Sequence, residues 1–168
     1  MQTIYNTKYS KKMLVNFDTL PENSRVWIYQ SNRSFSELEL DEISSKLNLF
    51  LQSWAAHGTD LKAGFEIKYN RFIVIAIDQE KQSATGCSID ASVQFIQDLE
   101  TTYSVDLMDK MNVSYKQGKY VAYKTLSDFK KMAKDNAVSK NTIVFNNLVN
   151  SKGAVSYTHL RAHETKCY

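Results

Sequence analysis

Hydrophobic and polar positions follow two periods along this chain, and the switches between them mark its elements. Arg25 to Gln30 is β-branched and aromatic and reads as a strand, entered from the turn Leu20-Pro21-Glu22-Asn23 and left through the polar loop Ser31-Asn32-Arg33. Apolar residues then recur at Leu40, Ile43, Leu47, Phe50, Leu51 and Trp54. Gaps of three and four put them on one face of a helix. Ser34 with Glu37, or Ser36 with Glu39 in a second register, offers a capping box at its start, and Gly58 offers a left-handed stop. From Leu61 to Tyr69 the period changes to two: Leu61, Ala63, Phe65, Ile67 and Tyr69 alternate with Lys62, Gly64, Glu66 and Lys68. That alternation predicts a strand with one wet face. Asn70 turns the chain into Arg71 to Asp78, whose unbroken apolar run predicts a central strand covered on both faces.

After the polar loop Gln79 to Gly86, a second helix is expected to begin near Ser88 or Asp90, both good N-caps. Its apolar positions are Ile89, Val93, Ile96 and Leu99, with Phe95 beside them. Val105 to Met111 is apolar and too short to assign. Val113 to Tyr115 and Tyr120 to Tyr123 flank Lys116-Gln117-Gly118-Lys119 as a second hairpin, Thr125 and Asp128 cap a short helix through Lys134, and Thr142 to Phe145 reads as a last strand. The order strand, helix, hairpin, helix, hairpin predicts an α+β fold. Its first six elements fit a ferredoxin-like βαββαβ sandwich, an antiparallel or mixed sheet with helices on one face, followed by a C-terminal hairpin, helix and strand extension.

Composition narrows the class. At 168 residues the chain is one domain's worth on a prior of ~100–200 residues each. With 43% hydrophobic and 23% charged residues, it is neither collagenous nor low-complexity. Its longest apolar run, Phe72 to Ile77, is far short of the ~18 residues of a membrane span, and a cytoplasmic location is expected.

The ends change the charge. Val155 to Thr165 resembles one reading frame of the adaptor DNA used in transposase-based sequencing libraries. On that resemblance residues 154–168 are translated adaptor, and the native part of the chain ends near Gly153. The tail carries His159, His163 and Cys167 at four-residue spacing, which on a helix would offer two imidazoles and a thiolate to Zn²⁺. On the adaptor reading that trio is an artefact, so no metal and no other cofactor is expected. Residues 1–12 hold Lys8, Lys11 and Lys12, no acid and no apolar periodicity. They read either as a disordered basic arm or as a stretch upstream of the true start at Met13, and they lack the apolar core of a secretory signal. The formal charge of +3 falls to 16 basic against 17 acidic residues once both ends are set aside. The basic character therefore gives no argument for nucleic acid or membrane. Of three histidines and two cysteines, His57 and Cys87 remain within 13–153, read as the single domain.

Five segments together carry a resemblance: Arg25 to Arg33, Trp54 to Gly58, Phe65 to Ile67 with Arg71 to Ile75, Gly86 to Asp90, and Val144 to Val149. Over about residues 13 to 152 the chain resembles a family of small uncharacterised proteins from Bacteroidetes-type bacteria, often named "ABC transporter ATPase". Its members begin near Met13 and continue past this point with a segment containing Trp and His. The resemblance implies no catalytic residues. The name itself requires a glycine-rich loop that cradles phosphates, followed by Lys and Ser or Thr. The five glycines are Gly58, Gly64, Gly86, Gly118 and Gly153, and none begins that pattern. The sequence therefore argues against an ABC ATPase.

Three constellations could carry chemistry. Cys87 follows a polar loop at a helix start, where exposed N–H groups and the dipole lower a thiol's pKa. His57 could act as its base and Asp90 could orient that base, which makes a thiol-dependent enzyme the first alternative. An inert cysteine packed under the helix explains the same residue. Asn32 and Arg33 after the first strand, with Arg71 and Ser88, could form an anion site, since an arginine fork suits carboxylate or phosphate. The simpler alternative is a loop asparagine and a surface arginine paired with Glu37. Tyr115, Tyr120 and Tyr123, interleaved with Lys116, Lys119 and Lys124 and followed by Lys130, Lys131 and Lys134, would suit single-stranded nucleic acid. A hairpin edge guarded by lysines explains them too. The leading expectation is a domain that binds a small molecule or a protein partner without a catalytic motif. A nucleic-acid accessory role is the last alternative.

Overall fold

The apolar run 72–77 becomes the middle of a three-stranded antiparallel sheet. Its strands are β1 (Arg25–Gln30), β2 (Lys62–Lys68) and β3 (Phe72–Asp78), in the order β1-β3-β2. The computed structural model describes residues 14–54, 62–79 and 86–155 and the backbone of 163–164; of Cys87 and Ser88 it describes the backbone alone. In the register of the sheet, Ile75 lies between Trp27 and Phe65.

The two faces of β3 explain why it lacks polar alternation. Ile73, Ile75 and Ile77 turn toward α1 (Glu37–Trp54) and α2 (Gly86–Tyr103), where they pack with Ile43, Leu47 and Leu51 of α1 and Ile96 and Leu99 of α2. Phe50 stacks on Phe95 with ring centroids 4.3 Å apart, and on Trp54 at 5.5 Å. Phe72, Val74 and Ala76 turn the other way, against Phe17, Leu20, Phe145 and Val155. The expectation of a central strand covered on both sides holds.

The helix starts refine the sequence reading. Ser36, in the second register, caps α1: Glu39 N donates to Ser36 Oγ (3.3 Å) and Ser36 N donates back to Glu39 Oε2 (2.8 Å). Helix α2 begins at Gly86, so Ser88 and Asp90 lie inside it and are not its N-cap. Both are good caps by type, but so are Ser83 and Thr85 upstream in the sequence, and residue type alone does not choose among them. The expected stop at Gly58 lies outside the described residues.

The second hairpin forms as expected, as β4 (Val113–Gln117) and β5 (Tyr120–Lys124), turning at Gly118, whose φ of 62° suits glycine. With β6 (Ile143–Val144) and β7 (His163–Glu164) they make a second antiparallel sheet, in the order β5-β4-β6-β7. Strand β6 is shorter than the expected Thr142 to Phe145. Helix α3 (Leu126–Lys134), capped by Thr125, sets Phe129 against Tyr115 on the outer face of β4. The inner face of β4 meets the first sheet.

The fold is therefore α+β, with helices α1 and α2 on one side of the first sheet. Its β1-β3-β2 order is compatible with a ferredoxin-like unit. The sixth element, β4, pairs in the second sheet. The reason lies at the outer edge of β1, where Val26 N donates to Asn150 O (3.1 Å) and Arg25 bridges Ser151. The C-terminal segment occupies that edge. Buried Lys152 locks it there, donating from Nζ to Leu20 O (2.7 Å) and Asp18 O (3.0 Å). On the opposite edge the chain at Val15 passes Gly64 so closely that a Cβ would lie 2.8 Å from Val15 O, which only glycine permits.

Candidate functional site

The turn between β2 and β3 is strained. Tyr69 and Asn70 have φ of 52° and 51°. Arg71 N donates to Lys68 O (3.0 Å) across them, and positive φ at both central positions makes this a turn of the primed kind. Asparagine accepts that conformation readily; a bulky tyrosine does not. Ring packing holds Tyr69 there: its centroid is 5.2 Å from that of Phe145, and Lys116 Nζ sits 5.5 Å above it. The turn rests on the loop after β1, with Phe35 N donating to Asn70 O (2.7 Å) and Ser31 N to Arg71 O (2.9 Å).

Arg71, the last residue of this turn, is carried into the seam between the sheets and is 6% exposed. Its Nη1 donates to Ser31 O (3.0 Å); its Nη2 makes two longer bonds, to Val121 O (3.3 Å) and Ser34 Oγ (3.4 Å). Among the described residues its Nε has no hydrogen-bond partner. Among the described residues no carboxylate forms an ion pair with it. Burial pulls its pKa down and neighbouring Tyr123 pulls it up, yet a guanidinium stays charged at any ordinary pH. Tyr123 accepts at its hydroxyl from Asn112 Nδ2 (2.6 Å), which also donates to Asp109 Oδ2 (2.7 Å). Burial raises the Tyr123 phenol and the Asn112 bond lowers it; the Asp106 and Asp109 carboxylates raise it and Arg71 lowers it, with a net upward shift. Tyr123 is therefore neutral at pH 7 and does not balance the Arg71 charge.

A satisfied polar cluster lies alongside. Gln30 is buried, donates from Nε2 to Asn112 O, and accepts at Oε1 from Ser114 Oγ and Asn147 Nδ2, each at 2.7 Å. One amide thus ties β1 to β4 and to the chain after β6.

The expected anion site is only partly assembled. Arg33 forks onto Glu39 (2.9 and 2.7 Å) and donates to Tyr103 O (2.7 Å). Its partner is Glu39 and not Glu37, because the capping box turns Glu39 back toward the loop. Asn32 exchanges bonds with the backbone of Asp106 (3.3 and 3.1 Å). Both residues fasten the loop, whereas Arg71 keeps a buried donor, Nε, without a partner among the described residues. The Ser88 side chain lies outside the described residues.

Two members of the expected thiol set lie outside the described residues. Cys87 lies in the first turn of α2, but its side chain and all of His57 fall outside the described residues, while Asp90 is exposed. The side chains of His159, His163 and Cys167 also lie outside them. Of the hairpin tyrosines, Tyr115 is buried under Phe129, Tyr123 faces the seam, and Tyr120 is exposed beside Lys119. Among the described residues no helix is long and apolar enough to cross a membrane.

Sequence reading missed Gln30, Asn112 and Ser114, and gave Ser34 and Tyr123 other roles. One signal was present: in the period of two, Gln30 continues the inward register of Val26 and Ile28. A polar residue there calls for an internal partner.

The Arg33–Glu39 fork makes stability pH-dependent. Arg33 and the Ser36 N–H hold the Glu39 carboxyl at about 2 against its ordinary 4.5. A depressed folded-state pKa contributes stability that is complete above pH ~4.5 and lost as pH falls toward 2. Glu39→Gln is expected to flatten acid unfolding in that window, by on the order of 0.5 kcal/mol for a pair this open to solvent. Urea midpoints across the window measure it; parallel pH profiles for variant and wild type would refute it.

Compared with protein-family models, curated proteins and solved structures, the chain matches none.

Proposed function

We propose that this chain is a small-ligand-binding domain whose site is the junction of the 69–71 turn, the 31–35 loop and β5. One observation carries the reading: a buried guanidinium with an unpaired Nε and no carboxylate partner among the described residues, under the exposed Ser34. An uncompensated buried charge costs several kcal/mol, and an apolar side chain of similar volume would hold a purely structural seam at lower cost. A ligand group that enters past Ser34 and pairs with Arg71 offsets that cost. The strained turn presents Arg71, so backbone strain and unmet charge coincide at one place. The reading includes no bond-making step.

A thermal-shift panel of neutral, cationic, carboxylate and phosphorylated small metabolites tests this. At about 100-fold excess over Kd, a true ligand stabilises by ~2.7 kcal/mol, a rise of roughly 5–10 °C for a chain of this size. At least one chemical class is expected to give a saturable rise. No rise with any class would overturn the reading.

A further inference from the structure

The donors left on Arg71 point to a class of ligand. A guanidinium has five N–H groups in a rigid planar fork. Here the best bond, Nη1 to Ser31 O (3.0 Å), leaves from the nitrogen that is not part of the Nε–Nη2 edge. The side-on edge, formed by Nε and Nη2, carries the donor without a partner and the two longest bonds. That edge matches two oxygens of a carboxylate or phosphoryl group, and such charge-assisted pairs are about twice as strong as neutral ones. Ser34 Oγ, 3.4 Å from Nη2, is a hydroxyl that can rotate to donate to the same oxygen. The Tyr123 hydroxyl is used as an acceptor by Asn112 and donates to nothing among the described residues. The nearby acids do not fill the role. Asp109 accepts from Met111 N and Asn112 Nδ2, and Asp106 accepts from Asp109 N.

We infer that the ligand is an oxyanion, a carboxylate or phosphoryl group, gripped side-on by Arg71 Nε and Nη2 with Ser34 Oγ as a further donor. This rests on the ligand-binding reading above. Ser36, not Ser34, caps α1, so Ser34 is free for the task without cost to the helix.

The test follows the Arg71 Nε–H resonance of the wild-type protein by ¹⁵N NMR, assigned with Arg71→Lys. Sodium phosphate and sodium acetate are titrated separately against sodium chloride at constant ionic strength. The Arg71 resonance is expected to move saturably with one or both oxyanions and to stay still with chloride. The anion with the tighter curve identifies the phosphoryl or the carboxylate source. Arg71→Lys keeps the charge but loses the fork, so the thermal shift produced by that anion should need at least about tenfold more of it. Should Arg71→Lys fail to fold, Ser34→Ala gives the same test with about a threefold weakening. An unmoved Arg71 resonance, in a protein that a neutral or cationic metabolite still stabilises, would refute the oxyanion and leave the binding site standing. No response to any compound would refute both.

Discussion

Gln30→Leu is expected to destabilise the protein by about 3 kcal/mol or more, although leucine fits the volume. The glutamine is 3% exposed and makes three bonds of 2.7 Å. Leucine leaves the fully buried Ser114 hydroxyl without its acceptor and the Asn112 carbonyl without its donor. Each orphaned buried polar group costs ~1–3 kcal/mol, whereas removing both partners together costs much less. Gln30→Leu combined with Ser114→Ala should therefore be more stable than the sum of the single losses, by ~1 kcal/mol or more. Urea unfolding of the four proteins measures the coupling. Strict additivity would mean that the amide does not join the sheets.

Phe72→Ala is expected to cost ~3–5 kcal/mol, the range for emptying a large aromatic site in a core. Phe72 has no exposed surface and faces the seam, its ring centroid 4.9 Å from that of Phe145 and 6.2 Å from that of Tyr69. The loss removes part of the packing that holds Tyr69 in its strained conformation. Tyr120→Ala is the control. At 70% exposure its ring lies outside the core, and the change should stay within ~0.5 kcal/mol. Comparable losses for the two variants would contradict the placement of the seam.

Periodicity made much of the first sheet readable. The alternation in 61–69 and the unbroken run 72–77 each have one physical reading, because strand side chains alternate faces and an all-apolar strand must be covered twice. The helix that carries Ile43, Leu47 and Leu51 was equally plain. The partner of that sheet was not. Whether β4 extends β1 or starts a new sheet depends on what occupies the outer edge of β1. The answer, residues 150–151, lies more than a hundred positions along the chain. No local pattern encodes a backbone bond over that distance.

The proposed site was legible only in part. Arginine near a strand end is a fair signal for an anion, and Arg71 was among the residues it selected. Arg33 carried the same signal and is spent on Glu39, since which arginine is neutralised depends on which register of the capping box forms. Ser34 looked like a cap, and Tyr123 like one side chain of a lysine-guarded hairpin. Their place beside Arg71 comes from the stacking of two sheets, which hydrophobic patterning does not specify.

The most direct measurement is crystallographic: crystals of the protein soaked in sodium selenate, a tetrahedral oxyanion located by selenium anomalous scattering. A peak is expected within hydrogen-bonding reach of Arg71 Nε and Ser34 Oγ, absent in Arg71→Lys crystals. Selenate bound only at exposed lysines, with Arg71 Nε enclosed by protein alone, would contradict it.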